Sequence, residues 1–227
     1  MTTYAYPGLP PLTWHHVGHA NLMSFLKRLG ATFPTPGKLI VAGSSAGGFG
    51  ALANYPAFRW YWKDAKSYLV DDSGPPLVGD AVPADSRAKW YQNWGMGSTL
   101  DAFCKECRTD MSAGMANLKK LYPDDRIALL SYVQDLTIRE FFGTFTITPP
   151  SVTPMDATSF ETELRLLGST IVDPPATSGN ARYFFTKGTG HPLLIPDPSA
   201  IATPSPGLAA WLELMLSDDT TWASATD

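Results

Sequence analysis

The sequence predicts a three-layer α/β domain built on a mostly parallel sheet. Three observations carry that expectation. Short apolar runs alternate with segments of helical periodicity along the chain. Each apolar run ends in a loop rich in Gly, Ser or Asp, the position at which sites gather in parallel sheets. At 227 residues the chain is long enough for one domain with a substantial core, 1–227, and too short for two of enzyme size.

The elements follow in order. Between Gly18 and Leu29 the apolar residues Ala20, Met23, Phe25, Leu26 and Leu29 recur near helical spacing ahead of the breaker PTPG at 34–37, which predicts a helix. Residues 38–42 (KLIVA) form a short apolar run that ends in glycine, as in a strand buried on both faces of a sheet, and a second helix follows from Gly48. The run 67–70 (SYLV) reads as a strand leading into 71–76 (DDSGPP). From about 75 to 110 the chain is rich in Trp and Gly and reads as a loop-rich insertion or lid. Residues 112–121 look helical. Residues 127–133 (IALLSYV) read as a strand ending at Gln134 and Asp135, 160–167 as a helix, and 181–186 (ARYFFT) as a strand leading into 188–192 (GTGHP). A helix at about 207–216 closes the pattern.

Composition narrows the function. Apolar residues make up 44% and charged residues 17%, against about 25% charged in an ordinary domain, so the chain is globular and not disordered. The formal charge is -4 with no basic run, which argues against a nucleic-acid partner. No apolar stretch approaches the roughly 20 residues of a membrane span, and the first residues lack the pattern of a signal peptide. The oligomeric state is not legible. Cys104 and Cys107 are too few for a disulfide framework or a four-cysteine zinc site; a local loop disulfide is the expectation, in preference to a redox pair.

The chemistry centres on 43–47, Gly43-Ser44-Ser45-Ala46-Gly47. This fits G-x-S-x-G and falls between a predicted strand and a predicted helix, the setting of a nucleophile elbow. Small neighbours let the backbone turn sharply while the Ser45 hydroxyl points outward, and the Ala46 amide at the helix start is a candidate oxyanion donor. A serine hydroxyl needs a base, usually a histidine oriented by a carboxylate. His15, His16 and His19 precede the nucleophile, whereas His191 follows a late strand. Asp135 ends the strand between Ser45 and His191, giving the order Ser, Asp, His of α/β-hydrolases. Asp71 and Asp72, after an earlier strand, are the competing acids. Asp135 is preferred because its strand directly precedes the one that feeds His191.

Four segments together resemble the pectin acetylesterase and Notum family of carboxylesterases: SSAGGFGALANY at 44–55, DDSGPPL at 71–77, YVQD at 132–135 and GTGHPLL at 188–194. The match runs from about His15 to His191. The resemblance implies an α/β-hydrolase fold, no metal and no cofactor. It further implies hydrolysis of a small ester, acetyl-type, carried on a larger polar molecule such as an acylated polysaccharide, with Ser45, Asp135 and His191 as the triad. Related enzymes are commonly exported, which together with a Cys-x-x-Cys bridge points to an extracellular or periplasmic location. Family members carry a long segment before the helix at 18–29, with a glycine-rich loop that supplies further oxyanion donors. Here only about 40 residues precede Ser45 and no HGGG-like or GGGW-like loop is present, so the fold is expected to be N-terminally shortened.

Other residues have plainer readings. Ser44, Asp72, Ser73 and His16 are expected to border the substrate pocket. His15 and His19 stand four apart, a metal-ligand spacing, but no accompanying glutamate supports a metal, and pocket lining is preferred. The aromatic residues Phe58, Trp60, Tyr61 and Trp62, and Trp90, Tyr91 and Trp94, are core or the lining of a groove. The leading reading is therefore a serine carboxylesterase. Its alternatives are a lipase-like or polyester-cleaving esterase, favoured if 90–103 exposes an apolar groove, and a weakly active or non-catalytic binding protein on a hydrolase scaffold.

Overall fold

The computed structural model describes residues 2–4, 10–78, 82–144, 153–175 and 179–227. A short antiparallel pair, β1 (Thr2–Tyr4) and β2 (Leu12–Trp14), precedes helix α1 (Gly18–Thr32). The main sheet is formed by β3 (Lys38–Ser44), β4 (Lys66–Asp72), β5 (Arg126–Tyr132), β6 (Ala181–Thr186) and β7 (Ala225–Thr226). These five strands lie in chain order and every neighbouring pair is parallel. Between them run α2 (Ala46–Tyr61), α3 (Ala84–Asn93), α4 (Gly97–Leu100), α5 (Ser112–Leu121), α6 (Leu136–Thr144), α7 (Ala157–Leu167) and α8 (Leu208–Leu216).

The two-residue period of the strands divides the core into two. Leu69, Ile127, Leu129 and Phe185 point to one face, where Leu52 and Tyr55 of α2, Met115 and Leu118 of α5, and Phe160 and Leu164 of α7 cover them. Tyr68, Val70, Ala128, Leu130 and Phe184 point to the other, beneath Leu208, Trp211 and Met215 of α8. Helix layers on both faces of a parallel sheet make the predicted three-layer α/β fold. The strands that are covered on both sides, β4 and β5, read as unbroken apolar runs for that reason.

The structure departs from the sequence reading at β3 and at 75–110. Strand β3 is not buried on both faces. It pairs only with β4 among the described residues, and Ile40 is 50% exposed. The apolar stripe of α1 is likewise largely outside the core: Leu26 is buried, while Phe25 and Leu29 are exposed. The stretch 75–110 is not loop-rich either. It contains α3, α4 and a 3-10 turn at Glu106–Arg108, although 79–81 lie outside the described residues. Cys104 and Cys107 are joined in a disulfide there, and both are buried beside Leu100.

Candidate active site

Four strand ends converge at the carboxyl edge of the sheet, and each contributes one turn. At the end of β3 the chain reverses through Ser45, whose φ of 60° and ψ of -125° lie in a region that L-residues rarely adopt. Two glycines permit this turn. A Cβ on Gly43 would run into the Gly47 carbonyl, and one on Gly48 into the Asp71 carboxyl. The turn is pinned by the Ser45 amide, which donates to the Asp72 carbonyl at 2.7 Å, and by the Gly48 amide, which donates to the Ser45 carbonyl at 2.8 Å. Ala46 opens α2, so its amide has no acceptor within the helix and lies at the positive end of the dipole.

Beyond β5 and β6 the two chains remain zipped together. The Val133 amide donates to the Thr186 carbonyl, that of Gln134 to Gly188, and that of Leu136 to Thr189, at 2.9, 3.1 and 3.2 Å. This pairing sets Asp135 next to His191. His191 Nδ1 stands 2.7 Å from Asp135 Oδ2, and Asp135 Oδ1 accepts the Ile138 amide at 3.0 Å. Asp135 is fully buried. Burial raises its carboxyl above the usual carboxylate range, and the Ile138 and His191 hydrogen bonds oppose that rise.

Asp72 joins the two halves of the site. Its Oδ2 accepts the Ser44 hydroxyl at 2.6 Å and the Leu194 amide at 3.0 Å, while Oδ1 accepts the Leu193 amide at 2.9 Å and the Ser73 hydroxyl at 3.2 Å. Four donors thus converge on the one carboxyl group. Asp72 and Ser73 are fully buried and the Ser44 hydroxyl turns inward to Asp72, so the expectation that these three border the pocket is corrected. They are internal ties instead. The neighbouring Asp71 lies on the opposite side of β4, with Oδ1 accepting the Gly74 amide at 3.0 Å and Oδ2 without a hydrogen-bond partner among the described residues. Burial raises its carboxyl well above the ordinary range. Of the three carboxyls, Asp135 is the one within hydrogen-bond distance of the His191 ring among the described residues, at 2.7 Å.

Ser45 and Ala46 open into a cavity of about 760 Å³. Phe49, Met111, Ile138 and Phe141 form apolar walls, and Trp94 and Met96 of the α3–α4 turn and Leu100 of α4 also line it. Trp94 stacks on buried Trp90 with 5.8 Å between ring centres, and Trp90 stacks on Phe141 at 5.1 Å. His16, His19 and Asn54 line this space; His15 does not. Among the described lining residues there is no Asp, Glu, Lys or Arg.

Sequence reasoning missed α6 and therefore Ile138 and Phe141. The available signal was the apolar spacing of Ile138, Phe141 and Phe142 directly after Asp135. Of the first aromatic cluster, Trp62 is buried and Trp60 is 72% exposed, and none of its members lines the cavity.

A parallel sheet between helix layers, with a serine turn after its first strand, defines an α/β-hydrolase type of fold. Among solved structures the chain is similar to the Wnt deacylase Notum from Drosophila, with a TM-score of 0.58 at 19% sequence identity. The likeness covers 88% of this chain and 59% of the Notum chain, so the chain spans about three-fifths of that protein's length. At this identity it is a likeness of fold. No family model and no curated protein sequence matches the chain.

Proposed function

We propose that the protein is a serine carboxylesterase in which Ser45 is the nucleophile, His191 the base and Asp135 the residue that orients it. The observation that carries this reading is the 2.7 Å contact of His191 Nδ1 with buried Asp135 at the same sheet edge as the strained Ser45 turn. Asp135 accepts from Nδ1, which leaves Nε2 as the ring's acceptor. Nε2 takes the Ser45 proton as Oγ attacks the ester carbonyl, and the Ala46 amide donates to the developing oxyanion. His191 then passes the proton to the leaving alcohol. Water, deprotonated in the same way, cleaves the acyl-enzyme and restores Ser45.

The substrate is an ester with a neutral group in the cavity. Short acetyl-type esters fit this chemistry. The apolar walls built by Trp94, Met96, Leu100 and Phe141 favour the second reading, a lipase-like or polyester-cleaving esterase, because a cavity of this volume buries far more than an acetyl group. An acidic polysaccharide finds no cationic side chain among the described lining residues. The Cys104–Cys107 disulfide supports an extracellular or periplasmic location.

The test is release of p-nitrophenol from acetyl to decanoyl esters by the chain and its Ser45→Ala variant. Turnover that rises with acyl length and is lost in the variant supports the esterase with an apolar chain site. Equal release by both proteins contradicts it.

A further inference from the structure

Among the uncharged polar side chains that line the cavity, His19 and Asn54 form a hydrogen-bonded pair of fixed orientation. His19, at the start of α1, places Nδ1 2.8 Å from the Asn54 side-chain carbonyl oxygen, and Asn54 Nδ2 donates to the Gly50 carbonyl at 2.8 Å. The Gly50 carbonyl accepts only, so it sets the amide with nitrogen toward the α2 backbone and oxygen toward His19. That oxygen also accepts only, so Nδ1 of His19 carries a proton. In the neutral ring the remaining nitrogen, Nε2, then bears a lone pair. His19 is half-buried and lines the cavity together with Asn54 and Ser45.

The position sets a length. Ser45 caps α2, and Asn54 lies nine residues along it, up to about 13 Å from the nucleophile along the axis, the reach of an extended chain of roughly ten carbons. The same cavity is lined by Phe49, Met96, Leu100 and Phe141, by the uncharged polar Gln92, Asn93, Ser98, Thr99 and Thr137, and by no charged side chain among the described residues. A ligand that fills this space is uncharged and apolar over most of its length. At the far end it meets a hydrogen-bond acceptor, which a purely hydrocarbon chain would desolvate without replacing its bond to water.

We propose that the His19–Asn54 pair is a subsite for a hydroxyl group at the distal end of a neutral aliphatic chain, so that the substrates are esters of hydroxyalkyl compounds. The hydroxyl donates to His19 Nε2, and Asn54 holds the ring in the accepting tautomer. This inference rests on the esterase reading for its reaction, but not for its binding. The chain belongs to the acyl half or the alcohol half, and the same hydroxyl serves both.

Hydrolysis is therefore measured in two arms. The first compares p-nitrophenyl esters of ω-hydroxyhexanoic, ω-hydroxyoctanoic and ω-hydroxydecanoic acids with the unsubstituted esters. The second compares the acetate of 1,10-decanediol with decyl acetate. The readout is the ratio of kcat/KM for the hydroxylated ester to that for its plain partner, in the natural chain, His19→Leu and His19→Gln. At the best chain length the ratio is expected to be about tenfold higher in the natural chain than in His19→Leu, as one hydrogen bond gives. His19→Gln, which keeps an acceptor, retains most of it. The arm that shows the effect identifies which half enters the cavity. An unchanged ratio in His19→Leu at every length and in both arms overturns the subsite.

Calorimetric binding of 1,10-decanediol and its dimethyl ether, which has no hydroxyl donor, separates this result from the fate of the esterase reading. Tighter binding of the diol, lost in His19→Leu, supports the subsite even if no ester is cleaved, in which case only the esterase reading falls. Equal binding of the diol and its dimethyl ether by the natural chain, beside normal ester turnover, overturns the subsite alone.

Discussion

The Ser44 hydroxyl donates to Asp72 Oδ2 at 2.6 Å, and through this bond the Ser45 turn is tied to the His191 loop, because the same carboxyl group accepts the Leu193 and Leu194 amides. Asp72→Asn replaces one acceptor oxygen with a donor that faces other donors. It is expected to lower stability by about 3 kcal/mol, since buried donors lose a charged partner. In the fraction that remains folded, kcat falls more than tenfold. Ser44→Ala removes one of the four bonds and costs about 1 kcal/mol. Urea midpoints and steady-state rates for both variants check the order.

Asp71 is a different case. Its native carboxyl holds a proton above the ordinary carboxylate range because burial disfavours the charge. The sign follows from linkage: between the unfolded and native values the native state binds more protons, so this group's contribution to stability falls as pH rises through that window. Asp71→Asn cannot ionise. Urea midpoints measured from pH 4 to pH 8 should therefore decline less steeply in the variant than in the natural chain. An identical slope would mean that Asp71 does not titrate in this range.

Ser45 occupies a backbone region in which a residue other than glycine costs about 1–3 kcal/mol. Ser45→Gly relieves that strain, partly offset by the greater freedom of glycine in the unfolded chain. The expected net gain is about 1 kcal/mol, a rise in Tm of about 2–4 °C for a chain of this size, with loss of esterase activity. Calorimetry beside the p-nitrophenyl ester assay shows whether stability and activity move in opposite directions.

The Cys104–Cys107 bridge packs against Leu100, and Leu100 lines the cavity. Closing so short a loop stabilises by about 2 kcal/mol at most. Reduction should therefore lower Tm modestly while weakening hydrolysis of decanoyl esters more than that of acetyl esters. Rates measured with and without dithiothreitol, after confirming the free thiols, distinguish this from a uniform loss.

The sheet was legible in the sequence because its strands are short apolar runs with sharp Gly, Ser or Asp ends. The runs at 38–42, 67–70, 127–133 and 181–186 each coincide with a strand to within a few residues. Ser45, Asp135 and His191 could be chosen because each falls at such an end, and the pairing of His191 with Asp135 followed from adjacent strands. Asp72 and Ser73 were misjudged for a physical reason. DDSGPP has the composition of an exposed turn, yet 71–78 are all buried, and only tertiary packing determines that. Helix α3 was hidden by its polar sequence among Pro, Gly and Trp. The exposed side of β3 could not be seen because an edge strand and a central strand can share the same apolar run.

The central claim is that Ser45 is a nucleophile activated by His191, and a fluorophosphonate tests it most directly. The chain, its Ser45→Ala variant and its His191→Ala variant are treated with the reagent, and the modified residue is located by peptide mass spectrometry while ester turnover is followed. One phosphonyl group on Ser45 of the natural chain, with turnover lost in step and labelling abolished or greatly slowed in both variants, is the expected result. Labelling of another residue, or ester turnover that survives in Ser45→Ala, would contradict it.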